Sequence, residues 1–175
     1  MSSLVLQVTP EQASQAKRLM ASAVLESIRL IHVRAAHMVP GCPVKDVAEN
    51  PMPTATADLL PGINRFRVVF GHAIRVNRGP EGATEVQVDA SFELVYSFPK
   101  EMEPAPGAEE LKAFADTNAV MNCWPYWREL VQSNVSKMNL PPLVVPLLRW
   151  AAQPPKQAPK PAEPTNVSAV KKENV

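Results

Sequence analysis

The sequence predicts an α+β protein: a long antiparallel hairpin in the middle of the chain, helices after it, and one domain in all. Three observations carry this. Residues 63–98 alternate apolar and polar around Gly79-Pro80-Glu81-Gly82, the pattern of a hairpin buried on one face and wet on the other. Residues 108–138 change to helical spacing. The 175 residues, 46% hydrophobic and 20% charged, suit a single core, since a chain of about 150 residues buries roughly 68–70% of its surface on folding.

The first helix begins at Thr9-Pro10-Glu11-Gln12. Thr9 can cap it, Pro10 takes the first helical position where its missing N–H costs nothing, and Gln12 closes a capping box. Ala13, Ala16, Met20, Ala23 and Val24 then follow helical spacing. The run Ile28-Arg29-Leu30-Ile31-His32-Val33-Arg34 is less helical and rich in β-branched residues. It reads as a first strand, with continued helix as the alternative. Residues 40–61 hold five prolines and few large apolar side chains, so at most a short edge strand fits there.

In the hairpin, Phe66, Val68, Phe70, Ile74 and Val76 share a face with Val86, Val88, Ala90, Phe92, Leu94, Tyr96 and Phe98. Arg65, Arg67 and Arg75 fall on the other face with Glu85, Asp89 and Glu93. Ion pairs across the two strands would fix the register from the solvent side. A helix over Ala108–Val120 then carries Glu109 and Glu110 in its first turn, where they complement the helix dipole. A second helix is expected to begin near Trp124, with Pro125 tolerated at its start. Its apolar stripe is Trp127, Leu130, Val131, Val135 and Met138. Leu140-Pro141-Pro142-Leu143-Val144-Val145-Pro146 forces an extended exit. From Ala151 onward five prolines and four lysines accompany almost no large apolar residue. The domain is therefore expected to span 1–150, with 151–175 a disordered tail.

Composition excludes several function classes. Eighteen basic against 17 acidic side chains leave a net charge of +1, too little to recruit nucleic acid or anionic lipid without a local patch. Cys42 and Cys123 cannot build a disulfide framework or a four-cysteine zinc site. With no secretory signal at the N-terminus, they fit a reducing, cytoplasmic setting. The longest uncharged runs, 117–127 and 138–148, are about eleven residues, short of the ~18 of a spanning helix. His32, His37 and Cys42 lie near one another in sequence but match no zinc-ligand spacing. His72 falls among Phe70 and Ile74 on the apolar face and reads as a core histidine. No nucleophile elbow, zinc-protease, Walker or Rossmann pattern occurs. Neither a catalytic apparatus nor a cofactor is expected.

The densest feature is Asn122-Cys123-Trp124-Pro125-Tyr126-Trp127-Arg128-Glu129-Leu130-Val131, with three aromatics in four residues of a chain that is 6% aromatic. Such a cluster either anchors a helix in the core or presents an interaction surface.

These residues carry a family resemblance. Phe114-Ala115-Asp116-Thr117-Asn118, then Trp124-Pro125-Tyr126-Trp127-Arg128-Glu129, then Leu140-Pro141-Pro142-Leu143 resembles the C-terminal signature of the SecB family of protein-export chaperones. Arg29-Leu30-Ile31 after a short helix resembles the first strand of the divergent SecB-like chaperones attached to toxin–antitoxin modules. The resemblance is dense over 108–146, thinner over 63–98 and loose before residue 62. It implies a four-stranded antiparallel sheet with helices on one face, a homotetramer built as a dimer of dimers, and no enzymatic activity. It also implies that extended segments of unfolded clients lie in apolar grooves.

Candidates for such a groove are Trp124, Leu143, Val145, Leu147 and Trp150. Candidates for the oligomer interface are Trp127, Leu130, Val131, Val135 and Met138. Two departures stand out. Only Leu147-Leu148-Arg149-Trp150 precedes the tail, where many members have another amphipathic helix. Positions that export members keep acidic on the first strand read Arg34 and Met38, so the docking face for the translocation motor reduces to Glu85, Asp89 and Glu93, and weak motor binding at most is expected. The expected function is that of an ATP-independent holdase for unfolded preproteins, with no nucleic acid and no membrane insertion. One alternative is a chaperone dedicated to a client such as an antitoxin. Another is an RNA- or small-ligand-binding sheet using Arg65, Arg67 and Arg75, whose patch the acids on the same face would neutralise.

Overall fold

Strict alternation along the hairpin builds the centre of the molecule. The structure, a computed structural model, describes residues 4–37, 51–78, 83–140 and 142–152. In chain order its elements are β1 (Leu4–Val8), α1 (Pro10–Ser22), β2 (Val24–His37), β3 (Thr54–Leu60), β4 (Arg65–Arg78), β5 (Ala83–Ser97), α2 (Ala108–Phe114), a π-helical turn (Ala115–Ala119), α3 (Val120–Lys137) and β6 (Leu148–Ala152). Strands β2, β5, β4 and β3 lie side by side in that order, each pair antiparallel. β1 and β6 form a separate parallel pair. The hairpin turn at 79–82, Cys42, and the tail from 153 lie outside the described residues.

The expected capping box is present: Gln12 N–H donates to Thr9 Oγ1 at 3.1 Å, and Thr9 N–H donates to Gln12 Oε1 at 3.0 Å. The strand after it runs from Val24 to His37, longer than the β-branched stretch alone suggests. In the described part of the proline-rich segment the strand is β3, which is short and lies on the edge of the sheet. Gly62, with φ at 73°, turns the chain from β3 into β4, a conformation that glycine adopts without a steric penalty.

One face of β4 and β5 is buried throughout the described side chains, from Phe66 to Val76 and from Val86 to Tyr96. Phe66 stacks on Tyr96 at 5.1 Å, and Phe114 meets both rings edge-on, at 5.3 and 5.0 Å. Asn122 Nδ2 donates to the Tyr96 hydroxyl at 3.1 Å. Farther along, His72 lies against Trp124 and Trp127, at 5.2 and 4.8 Å. Trp127 is fully buried, so on this side the aromatic cluster is a core anchor.

Two expectations are corrected. No new helix starts at Trp124; α2, the π-helical turn and α3 follow one another without a break, and Pro125 sits inside α3. A proline there removes one main-chain hydrogen bond, and its exposed ring leaves the buried face of α3 to Trp124 and Trp127. Arg65 and Arg67 on the outer face also do not pair with acids on the opposite hairpin strand. Arg65, Arg67 and Arg75 face Ser97, Val95 and Gln87 in the register. The acids that Arg65 and Arg67 meet come from the flanking strands instead. Arg67 pairs with Asp58 of β3 at 3.3 Å, and Arg65 reaches across Ser97 to Glu26 of β2 at 2.8 Å. Glu93 is held by Arg29 of β2. Glu26 is free to reach because a bulge between Leu25 and Ser27 takes it out of the ladder.

Burial pushes the His72 pKa down from 6.5 to about 4. Between those values the unfolded chain binds a proton that the folded chain refuses, so stability falls as pH drops from 6.5 toward 4 and levels off below. The loss amounts to roughly 3 kcal/mol at most. His72→Phe keeps a ring between the tryptophans and removes the titration. The variant's urea midpoint is expected to vary less with pH across this window than the wild type's.

Candidate functional site

The exit from α3 sets the geometry of the C-terminal segment. Asn139 takes a left-handed conformation, φ 55°, just past the helix, and Leu140 N–H returns to Val135 O at 3.2 Å. This is the usual way a helix satisfies its last carbonyls while turning the chain aside. The proline-rich stretch then runs extended alongside α3. Two α3 side chains grip its backbone: Trp124 Nε1 donates to Pro146 O at 3.0 Å and Arg128 Nε donates to Val145 O at 3.2 Å. Leu143 and Val145 turn into the core, while Val144 and Leu147 turn out.

From Leu148 the chain pairs with β1, Leu4 opposite Leu148, Leu6 opposite Trp150 and Val8 opposite Ala152. Leu6, Val8 and Leu148 are buried, but Trp150 on the same side of the ribbon remains 43% exposed. Its ring helps to wall an apolar cavity of about 300 Å³ between the ribbon, α1 and the π-helical turn. Val8, Ala13, Lys17, Met20, Ala21 and Thr117 complete the lining. The Thr117 hydroxyl is already bonded to Ala113 O at 2.6 Å, so the cavity offers shape and apolar contact more than polar recognition.

Of the residues singled out in the sequence for a groove, Trp124, Leu143 and Val145 are buried in the core, while Leu147 and Trp150 reach solvent. Of the interface candidates, Trp127, Val131 and Val135 lie in the core; Leu130 on α3 and Met138 just past its end are half-buried. Asp89 and Glu93 both lie on the outer sheet face. Asp89 is opposite Arg34 and accepts two hydrogen bonds from Gln87 Nε2, at 2.8 and 3.0 Å. The side chain of Glu85 lies outside the described residues. Sequence reasoning missed the contributions of Val8, Lys17 and Met20. The helical spacing of Met20 was the one available signal, because nothing local in Leu4–Val8 announces a partner at the other end of the chain.

The edge strand β2 presents a second apolar surface. Val24, Leu30, Ile31 and Val33 are 41–62% exposed, and β2 has no neighbour on its outer edge among the described residues. The remaining chemistry is quiet. Burial raises the Tyr96 pKa to about 12, against a smaller opposing effect of its bond from Asn122. Burial also pushes the Cys123 thiol well up, leaving it a packed, protonated side chain. Among the described residues no three His, Cys, Asp or Glu side chains gather as a metal site, and no helix is long and apolar enough to cross a membrane.

Trp124→Phe keeps most of the packing and removes the donor to Pro146 O. The expected cost is about 1 kcal/mol, concentrated in the C-terminal segment. Hydrogen exchange should show faster exchange at the amides of residues 147–151 with little change in β4 and β5.

No protein-family model and no curated protein sequence matches the chain. Among solved structures, it is similar to a SecB-like chaperone from Mycobacterium tuberculosis, determined in complex with a ChAD peptide from an antitoxin. The two share 26% identity and a TM-score of 0.68, over 78% of this chain and 97% of the other. A protein of unknown function from Streptococcus agalactiae aligns at 9% identity and a TM-score of 0.42, over 70% and 95%, too distant to bear on the argument. Nearly the whole length of the mycobacterial chaperone is matched by this chain, whose four-stranded antiparallel sheet and helical cover its own residues call for, and the protein is similar in sequence and fold to a SecB-like chaperone.

Proposed function

We propose that the protein is an ATP-independent holdase that keeps extended, unfolded polypeptide segments from aggregating, with Leu147 and Trp150 at its client-contacting surface. The observation that carries the reading is the likeness to a chaperone solved with a peptide bound. The exposed apolar side chains support it physically, since broad apolar contact with little polar recognition suits clients of many sequences. Its clients are unfolded preproteins in the cytoplasm; the peptide held by the mycobacterial chaperone favours, as a second reading, a dedicated client such as an antitoxin. No catalytic role belongs to this reading.

The outer sheet face argues for little dependence on the translocation motor. Glu93 is engaged by Arg29, and Asp89 lies opposite Arg34. Exposed ion pairs contribute only about 0–1 kcal/mol and are screened at physiological salt, so these acids make a poor anchor for a basic partner. The same pairs weaken the RNA-binding alternative, because Arg65 and Arg67 are already bound to Glu26 and Asp58.

The assembly proposed is a homotetramer, a dimer of dimers. The exposed Val24, Leu30, Ile31 and Val33 of β2 and the half-buried Leu130 of α3 are surface that self-association would cover.

Purified protein is expected to suppress aggregation of chemically unfolded clients without nucleotide, and Trp150→Ala to weaken that suppression without unfolding the chain. Equal activity of variant and wild type against several clients would remove Trp150 from the surface. Leu130→Asp would place an unpaired charge in a dry contact. Native mass spectrometry is expected to show it as smaller species, whereas a wild type monomeric at micromolar concentration would refute the tetramer.

A further inference from the structure

The cavity under Trp150 has a feature that general apolar contact does not require. Its lining is apolar except for Thr117, whose hydroxyl is spent on Ala113 O, and Lys17 at the rim. The neighbouring cation on α1, Arg18, is consumed by Glu110, with Nε and Nη2 donating to the carboxylate at 2.9 and 2.6 Å, and by Pro104 O. Lys17 is exposed and has no acidic partner within ion-pair distance among the described residues. A volume of about 300 Å³ stands at the lower end of small-ligand pockets, about 300–1,000 Å³, and suits one bulky side chain. Beside it, β6 has main-chain groups with no strand on the side away from β1 among the described residues, the arrangement that receives an extended peptide.

We propose that this cavity is a specificity subsite that takes one bulky apolar side chain of an extended client segment, with Lys17 selecting segments that carry a carboxylate next to that side chain. The proposal rests on the chaperone reading and names which segments the site prefers. Charge complementarity decides the occupant: Lys17, exposed and without an acidic partner among the described residues, is best satisfied by an acidic neighbour of the inserted group.

The test uses the full chain and three fluorescein-labelled peptides in a Gly/Ser background, carrying Phe-Asp, Phe-Lys or Ala-Asp at the centre, measured by anisotropy beside an aggregation assay with an unfolded client. The Phe-Asp peptide is expected to bind about three- to fivefold more tightly than Phe-Lys, the scale of one exposed ion pair. It is expected to bind about tenfold or more tightly than Ala-Asp. Lys17→Glu should reverse the order of the first two, and Ala21→Trp, which fills the cavity, should weaken both. Equal binding of all three peptides, unmoved by either variant while the wild type still suppresses aggregation, would overturn the subsite and leave the chaperone reading standing. Absence of both peptide binding and aggregation suppression would overturn the two together. Tighter peptide binding after removal of residues 153–175 would make the protein's own tail the occupant and overturn the proposal in that form.

Discussion

Phe114 meeting Phe66 and Tyr96 edge-on fixes where the helical run lies on the sheet. Those two rings stand on adjacent central strands, so the run beginning at α2 is pinned over β4 and β5. Trp124 and Trp127 then land on His72, at the other end of the same face. A single helical run cannot also cover β2, and the apolar side chains there stay in contact with water. The extended segment after α3 follows from the same placement, because its carbonyls are gripped by Trp124 and Arg128 on that pinned helix. Core packing thus decides which apolar surface remains available for other polypeptides.

The parts legible in the sequence are those whose signal is local. The hairpin strands alternate over their described length, the capping box at Thr9 is written within four residues, and Pro53 and Pro61 bracket the short strand β3. The β1–β6 pair was not legible. Each strand has five residues, and pairing ends so far apart in the chain leaves no pattern that a window of neighbours contains. The continuity of α2, the π-helical turn and α3 was hidden by Pro125, whose usual meaning is a helix start or break. Burial of Leu143 and Val145, but not Leu147, follows from the direction of the extended segment beneath Trp124, which depends on tertiary contacts.

Charge pairing on the outer face shows the same limit. Composition and alternation place arginines and acids on one surface, but which acid meets which arginine depends on register and on a bulge. The displacement of Glu26 from the β2 ladder lets it reach Arg65 across β5. Arg67 finds Asp58 through the neighbouring strand β3. The net field of that surface is consequently set by all four strands of the sheet, none of which could supply it alone.

The parallel pairing of β1 with β6 has a consequence during synthesis. β1 is made some 140 residues ahead of its partner, residues 4–8 against 148–152. At a synthesis rate of about 5–20 residues per second, β1 waits roughly 7–28 seconds for its partner. Throughout that interval its main-chain groups and the inward-facing Leu4, Leu6 and Val8 lie open on the nascent chain. The cavity beside them cannot close until β6 arrives, so the proposed subsite forms only after the sheet and helices between the two strands have been made.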